Sequence, residues 1–417
     1  MVVTIIAVET PSLGDRSYLV HDGRVAFVVD PQRDVDRVLD AANRSGVAIT
    51  HVLETHVHND YVTGGYALAR RTGAQYLVNA DDNVSFDRTP VSDGDVVTVS
   101  PELRVRALAT PGHTFTHLSY VLQGEAPALF SGGSLLFGST GRPDLLGPAS
   151  THELARHQYR SARRLADHLP DDTRLLPTHG FGSFCTTAAG GDTVAASTIG
   201  RERQVNPVLT QDEEAYVADV LAGLDTYPAY YVHMAPLNAA GPEEPDLGAP
   251  AEADRAELRR RLEAREWLVD LRSRTVFAAG HVPGTYNFGL DGSFATYLGW
   301  LLPWGTPVTL LGETPGQVAE AQRELARIGI DRPAAAASGR PQWWTDGPLA
   351  TLPRASFAEL AEVRHGSSVV VQRRTRPARP RRPRASRRAR ARSAPPPARR
   401  PPWAATARRR TGTGRAR

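Results

Sequence analysis

A chain of 417 residues, 41% hydrophobic and 23% charged, is long enough for two to four domains and apolar enough to give them cores. Its net charge of +4 joins two unlike stretches: residues 372–417 hold 18 arginines and no acid, whereas residues 1–371 hold 31 arginines against 45 acidic residues. An acidic body without clustered positive charge argues against specific nucleic-acid binding, and with no run of ~18 apolar residues a membrane-spanning helix is excluded.

Val2–Val8, Ser17–Val20 and Val25–Val29 read as short β-branched strands. Asp36–Ser45 is predicted helical, with Val35, Val38 and Leu39 at helical spacing and Gly46 as the stop. Ile49–Glu54 is the next strand, and it runs directly into Thr55-His56-Val57-His58-Asn59-Asp60. A helix over Thr63–Thr72 follows, then strands at Tyr76–Val78, Val96–Val99, Val105–Ala109, Ser119–Leu122 and Ala128–Phe130, and a long helix over about His152–His168. Strands interleaved with helices predict an α/β fold whose helices cover the sheet faces.

Ala239–Ala251, rich in Gly, Pro, Ala and acid, reads as a linker. Beyond it a charged helix (Glu252–Arg265), a buried strand (Trp267–Leu271), a His281-Val282-Pro283-Gly284 turn, a strand (Pro307–Leu311) and a helix (Gln317–Ile328) make a small α/β unit. Ala256-Glu257-Leu258 ahead of Trp267-Leu268-Val269 is echoed by Ala358-Glu359-Leu360 ahead of Val369-Val370-Val371, as if a second copy began near Ser356. From Gln372 the chain is an Arg/Pro/Ala tract, predicted to be disordered because it buries too little surface to offset its conformational entropy. A GC-rich gene read out of frame would give the same bias, and that reading is preferred to a nucleic-acid- or membrane-binding tail.

Chemistry concentrates at the strand exits. His56 and His58 sit at i and i+2 with Asp60 two further on, His113 lies in Thr110-Pro111-Gly112-His113-Thr114, and His179 in Leu176-Pro177-Thr178-His179-Gly180. Imidazoles and carboxylates on loops at strand ends can converge at one rim of a sheet, as zinc or iron sites require. His117, His152, His157 and His168 carry no such pattern and read as core or surface residues. Cys185, the one cysteine, allows no intrachain disulfide and reads as a small packed hydrophobe. With no signal-peptide pattern at Met1–Val8, the expected location is cytoplasmic.

In chain order, Thr55–Asp60 with Gly64-Gly65, Thr110–Thr114, Phe130-Ser131-Gly132-Gly133 and His179 resemble the metallo-β-lactamase family, and Gly141-Arg142-Pro143-Asp144 resembles its persulfide dioxygenase and glyoxalase II branch. The resemblance implies an αββα sandwich over residues 1–238, with the site at the edge between two sheets. It implies one divalent metal, Zn or Fe(II), on His56, His58 and His113. Asp60 would orient water or act as base, Asp60 and His179 would be remnants of a second metal site, and Arg142 and Tyr61 would bind substrate. Two departures stand out. Tyr61 follows Asp60 where the family has histidine, and Gly133 replaces an aspartate that bridges two metals or completes the iron face of the dioxygenases. Glycine cannot ligate, so one metal with an open position is expected, which suits Lewis-acid hydrolysis.

Leu268-Val269-Asp270-Leu271-Arg272 with Gly280-His281-Val282-Pro283-Gly284 resembles a rhodanese domain over residues 252–345. The loop expected to carry its nucleophile, Gly312-Glu313-Thr314-Pro315-Gly316-Gln317, has no cysteine, so sulfur transfer is not expected and Asp270, Arg272 and His281 read as structural. The expected organisation is a metallo-β-lactamase-like domain (1–238), a linker (239–251), a cysteine-less rhodanese-like domain (252–345), the start of a second repeat (353–371) and a disordered basic tail (372–417). Together the resemblances imply a persulfide dioxygenase-like enzyme acting on a small thiol-derived substrate such as glutathione persulfide. A glyoxalase II-type thioester hydrolase is the first alternative. A non-catalytic protein with a binding rhodanese module is the second.

Overall fold

The computed structural model describes residues 3–180, 182–187 and 196–363. The expected strand Val369–Val371 and the tract 372–417 lie outside these residues. The chain divides into two compact units, Met1–Arg354 and Ala355–Arg417.

In the first unit, six strands form one sheet in the order β1 (Thr4–Thr10), β2 (Asp15–His21), β3 (Val25–Val29), β4 (Ala48–Leu53), β5 (Gln75–Asn79) and β6 (Thr89–Val91). A second sheet runs β12 (Ser197–Thr198), β11 (Arg174–Pro177), β10 (Ala128–Gly132), β9 (Leu118–Gln123), β8 (Arg104–Ala109) and β7 (Val96–Thr98). Because side chains alternate along a strand, each sheet has an inner and an outer apolar face. Tyr18, Val20, Phe27 and Leu53 of the first sheet pack on Val105, Tyr120, Leu122 and Phe130 of the second. Outward, Leu19, Ala26, Val28 and Val52 are covered by the helices Asp36–Ser45 and Gly65–Thr72. Val121, Leu129 and Leu175 are covered by Pro148–His168 and Glu213–Gly223. The four layers are the αββα sandwich that the resemblance implies, with helices on the sheet faces as the strand and helix pattern predicts.

A third, parallel sheet has the order β14 (Tyr286–Asn287), β13 (Trp267–Asp270), β15 (Val308–Gly312) and β16 (Ala335–Ser338). It is not set apart by a free linker. A helix spans Tyr231–Ala240, across the expected boundary at 238. Beyond it the chain is strapped down: Gln322 donates to the carbonyls of Asp246 and Gly248, and Ala336 N–H donates to Ala251 O. One apolar cluster joins Tyr61, Val62, Tyr230, Tyr231 and Met234 to Val269, Leu298, Leu310 and Ile328. The Gly/Pro/acid composition of 239–251 reads as a linker because it carries few apolar residues, whereas the cohesion comes from apolar faces far away in sequence. In the second unit, the helix Phe357–Val363 opens with a reciprocal cap in which Ser356 Oγ accepts from Glu359 N–H and Glu359 Oε2 accepts from Ser356 N–H. Asp254 caps Glu257 in the same register at the start of Arg255–Glu263, so the sequence echo has a local structural counterpart.

Candidate metal centre

The chemistry sits at one rim of the sandwich. β3 leads into Asp30, β4 into Glu54, β8 to His113, β10 to Gly133 and β11 to His179, while antiparallel β2 begins there at Asp15. Gly64 and Gly65 let the loop after the His-x-His motif close on the sheet: a Cβ on Gly65 would fall 2.1 Å from Glu54 Oε1, and one on Gly64 2.2 Å from the Gln32 carbonyl. His56, His58, His113 and His179 are all fully buried, and their rings lie 4.1 to 5.5 Å apart between the contacting pairs.

Each imidazole has its outward nitrogen engaged. Thr55 Oγ1 donates to Asp30 Oδ2 at 2.7 Å, so His56 Nδ1, 2.9 Å from the same hydroxyl, is the donor there. His58 Nε2 lies 3.0 Å from Tyr61 OH and 3.4 Å from both Asp30 and Glu54. His113 Nδ1 donates to the Arg142 carbonyl at 2.8 Å. His179 Nδ1 is 3.0 Å from Asp15 and 3.2 Å from Asp60. The second nitrogens are thereby turned toward one another. His58 Nδ1 and His113 Nε2 are buried without any hydrogen-bond partner, a costly arrangement for a polar group unless something occupies the pocket. Outer partners of this type fix the tautomer of a metal-binding histidine, so the donor set fits a divalent ion such as zinc or iron.

Electrostatics divide the four rings. Burial, reinforced by the neighbouring imidazoles, holds His56 far below its ordinary value, and burial with the charge on His179 holds His113 down to about 3. Burial also opposes the charged form of His58, but Asp30 and Glu54 outweigh it and hold the ring up at about 9. Asp60 and Asp15 likewise overcome burial to raise His179, while His179 overcomes burial to depress Asp60. His56 and His113 therefore offer free lone pairs. His58 and His179 would exchange a proton for a metal.

Among the described residues, four buried donor groups each span no more than 4.8 Å: His56, His58 and His179; His113, His179 and Cys185; Asp15, Asp60 and His179; and Asp30, Glu54 and His58. The sequence places His56, His58 and His113 on one metal; in the structure His179 is the tighter companion of His56 and His58, and His113 groups with His179 and Cys185. The ring of His113 fills the slot beside Gly133, where a Cβ would meet His113 Cδ2 at 2.4 Å. Arg142, expected at the substrate, is buried behind His113. Its guanidinium pairs with Asp144 at 2.7 and 2.8 Å and donates to the carbonyls of Phe184 and Asp225. Tyr61, also expected at the substrate, is fully buried and stacked on His58 with ring centroids 4.3 Å apart.

Single acids at strand ends were invisible to motif reading. Asp30 is the keystone of the rim: it takes a left-handed backbone conformation (φ +49°) and accepts from Thr55 N–H, Thr55 Oγ1 and Thr178 Oγ1. Its only signal is that an apolar strand, Val25–Val29, ends on an acid as β4 ends on Glu54. His117, read as structural, accepts from Gly133 N–H at 3.0 Å and stacks on His56.

At the third sheet, Arg272 makes a buried bidentate pair with Asp270 and donates to Gly280 O, while His281 Nδ1 lies 3.0 Å from Phe277 O. Gly312–Gln317 turns into the helix Pro315–Arg327 with Thr314 as its cap.

The family model for the metallo-beta-lactamase superfamily matches residues 16–179. A hydroxyacylglutathione hydrolase of Cupriavidus taiwanensis is 34% identical over 240 residues, covering 49% of this chain and 86% of that protein. One of Polaromonas is 32% identical over 158 residues, 37% of this chain, and the chain spans little more than half of it, 57%. A crystal structure described as a metallo-beta-lactamase from Staphylococcus aureus subsp. aureus COL has a TM-score of 0.71 and 27% identity, covering 81% of this chain and 99% of that one. That share is more than residues 1–238 can supply. Among the described residues no helix is long and apolar enough to cross a membrane.

Proposed function

Because the chain belongs to the metallo-beta-lactamase superfamily, we propose that it is a metal-dependent hydrolase of a thioester carried by a glutathione-like thiol. The observation that carries the reading is the ring of four buried imidazoles whose outward nitrogens are all engaged, beside a residue 133 that brings no carboxylate. His56, His58 and His113, with His179 adjoining, would hold one divalent metal. When bound, such an ion supplies Lewis acidity, polarising a carbonyl and lowering the pKa of water to about 7. The chain's own part is to fix tautomers through Thr55, Asp30 and the Arg142 carbonyl, and to hold Asp60 ionised beside His179, where it can accept a hydrogen bond from a water and orient it.

Oxygenation at iron calls for two histidines and a carboxylate with open positions, and glycine at 133 removes one carboxylate from that count. The curated relatives carry the name hydroxyacylglutathione hydrolase, so a hydroxyacylglutathione thioester is the first substrate to test. Persulfide oxygenation is the second reading, supported by the rhodanese resemblance of residues 252–345, whose sheet shares its core with the metal-site loop through Tyr61 and Val62. Purified protein should hydrolyse a hydroxyacylglutathione, lose that activity to a chelator and regain it with zinc. Oxygen uptake with glutathione persulfide in the absence of hydrolysis would reverse the order of the two readings. A protein that binds no metal and does neither would be a binding module.

A further inference from the structure

We infer that Cys185 is a metal ligand, its thiolate entering the pocket alongside His113 and His179. This rests on reading the pocket as a divalent-metal centre. Donor atoms of Cys185, His113 and His179 lie within 4.8 Å of one another, and the thiol sits beside the Asp60 carboxylate. All four residues are buried, Cys185, His113 and His179 completely. The second observation is His113 Nε2, buried and without a hydrogen-bond partner while its Nδ1 is held by the Arg142 carbonyl. The same residue positions the cysteine: Arg142 N–H donates to Cys185 O at 2.9 Å, and Cys185 N–H donates to Ser183 Oγ at 3.1 Å. Arg142 thus holds the His113 imidazole with its carbonyl and the Cys185 backbone with its N–H.

Cys185 belongs to a core with Tyr230, Tyr231 and Met234, and burial with Asp60 and Asp15 alongside keeps its thiol protonated until a metal displaces the proton. A thiol that served only as packing has no need of three ionisable neighbours on its polar side. On binding, the S–H bond is exchanged for a metal–sulfur bond and the proton leaves to solvent. A mixed imidazole and thiolate set suits zinc, which deepens the hydrolytic reading over iron-dependent oxygenation.

The test uses the full chain loaded with zinc or cobalt(II) alone. Zinc-edge X-ray absorption should show one sulfur at about 2.3 Å beside nitrogens at about 2.0–2.1 Å. The cobalt form should show a thiolate-to-metal charge-transfer band that Cys185→Ser abolishes. Cys185→Ala, which keeps the apolar packing, should bind zinc roughly tenfold or more weakly while retaining the far-ultraviolet spectrum of the metal-free protein. Should both variants fail to fold, the sulfur distance in the wild-type protein decides alone. One metal per chain without a sulfur neighbour overturns the inference and leaves the metal centre standing. No metal at all overturns both.

Discussion

Asp34 and Arg327 meet at 2.7 Å with side chains only 1% and 6% exposed, joining the loop after β3 to the end of the helix Pro315–Arg327. Arg327 also accepts, at its carbonyl, the Val62 N–H at 2.7 Å. One residue of the small α/β part thus fastens both the loop after β3 and the loop that follows the His-x-His motif. Removing one member of a buried pair leaves the other uncompensated, at a cost of about 3–5 kcal/mol. Arg327 keeps Glu324 at 2.6 Å, so Asp34→Ala should destabilise residues 1–354 at the low end of that range, on the order of 3 kcal/mol, read as a shift in the urea midpoint with unchanged slope. A shift too small to measure would mean that the pair is dispensable.

The same carboxyl gives a pH signature. Burial alone would raise Asp34, but Arg327 and Arg37 outweigh it and hold the group below its ordinary value of 3.8. A depressed folded value contributes stability that is complete above the unfolded value and is lost as pH falls through the folded one. The stability gap between wild type and Asp34→Asn should be constant from about pH 7 to pH 5 and narrow below about 4. A gap that widened on acidification would contradict this sign.

The strand pattern, the helix stopped by Gly46 and the histidine-bearing exits were legible in sequence because each is a local signal: alternation, a glycine stop, or clustered ligands on a loop. Asp15, Asp30 and Glu54 were not, since one acid at a strand end looks like any other until the sheet brings three of them behind His58 and His179. The role of Arg142 was hidden for a different reason. Its side chain suggests substrate binding, whereas its peptide group holds His113 and Cys185. Ile199–Val205 and Pro207–Thr210 escaped because they are short, whereas Arg255–Glu263 and Pro315–Arg327 were anticipated, and the cohesion across 239–251 escaped because contact between distant apolar faces leaves no periodic trace.

Tyr61→Phe should retain the metal. The lost hydroxyl is one of three groups facing His58 Nε2, and Asp30 and Glu54 remain within 3.4 Å. The expected penalty is about 0.5–1.5 kcal/mol of stability, with metal content by elemental analysis unchanged. Metal-free Tyr61→Phe protein would show that the phenol, and not the carboxylates, orients the ring.

Gly133→Asp tests the slot beside His113. Restoring a carboxylate looks like a route to a second metal, but the new Cβ would lie 2.4 Å from His113 Cδ2, and Gly133 N–H is tied to His117. The imidazole has to move. We expect metal per chain to fall below the one equivalent proposed for the wild type; two equivalents would show that the slot opens readily.

Thiosulfate:cyanide transfer should be absent, and a cysteine alone should not restore it. A rhodanese-type thiolate needs free backbone N–H groups around it. Here Glu313 N–H donates to Gln317 Oε1 at 2.7 Å and Gln317 N–H to Thr314 Oγ1 at 3.2 Å, so two of the donors at the loop are already engaged in capping the helix. A Cβ on Gly312, where the loop begins, would stand 3.2 Å from the Thr314 carbonyl, an acceptor that repels a thiolate. Gly312→Cys should therefore remain inactive while folding as the wild type does. The Asp270–Arg272 pair, buried beneath this loop's sheet, should matter to stability alone: Asp270→Asn leaves a buried guanidinium and should cost about 3–5 kcal/mol without altering zinc content. Transfer activity in the wild-type protein that Cys185→Ser removes would place the nucleophile in the sandwich instead, and would count against a purely hydrolytic site.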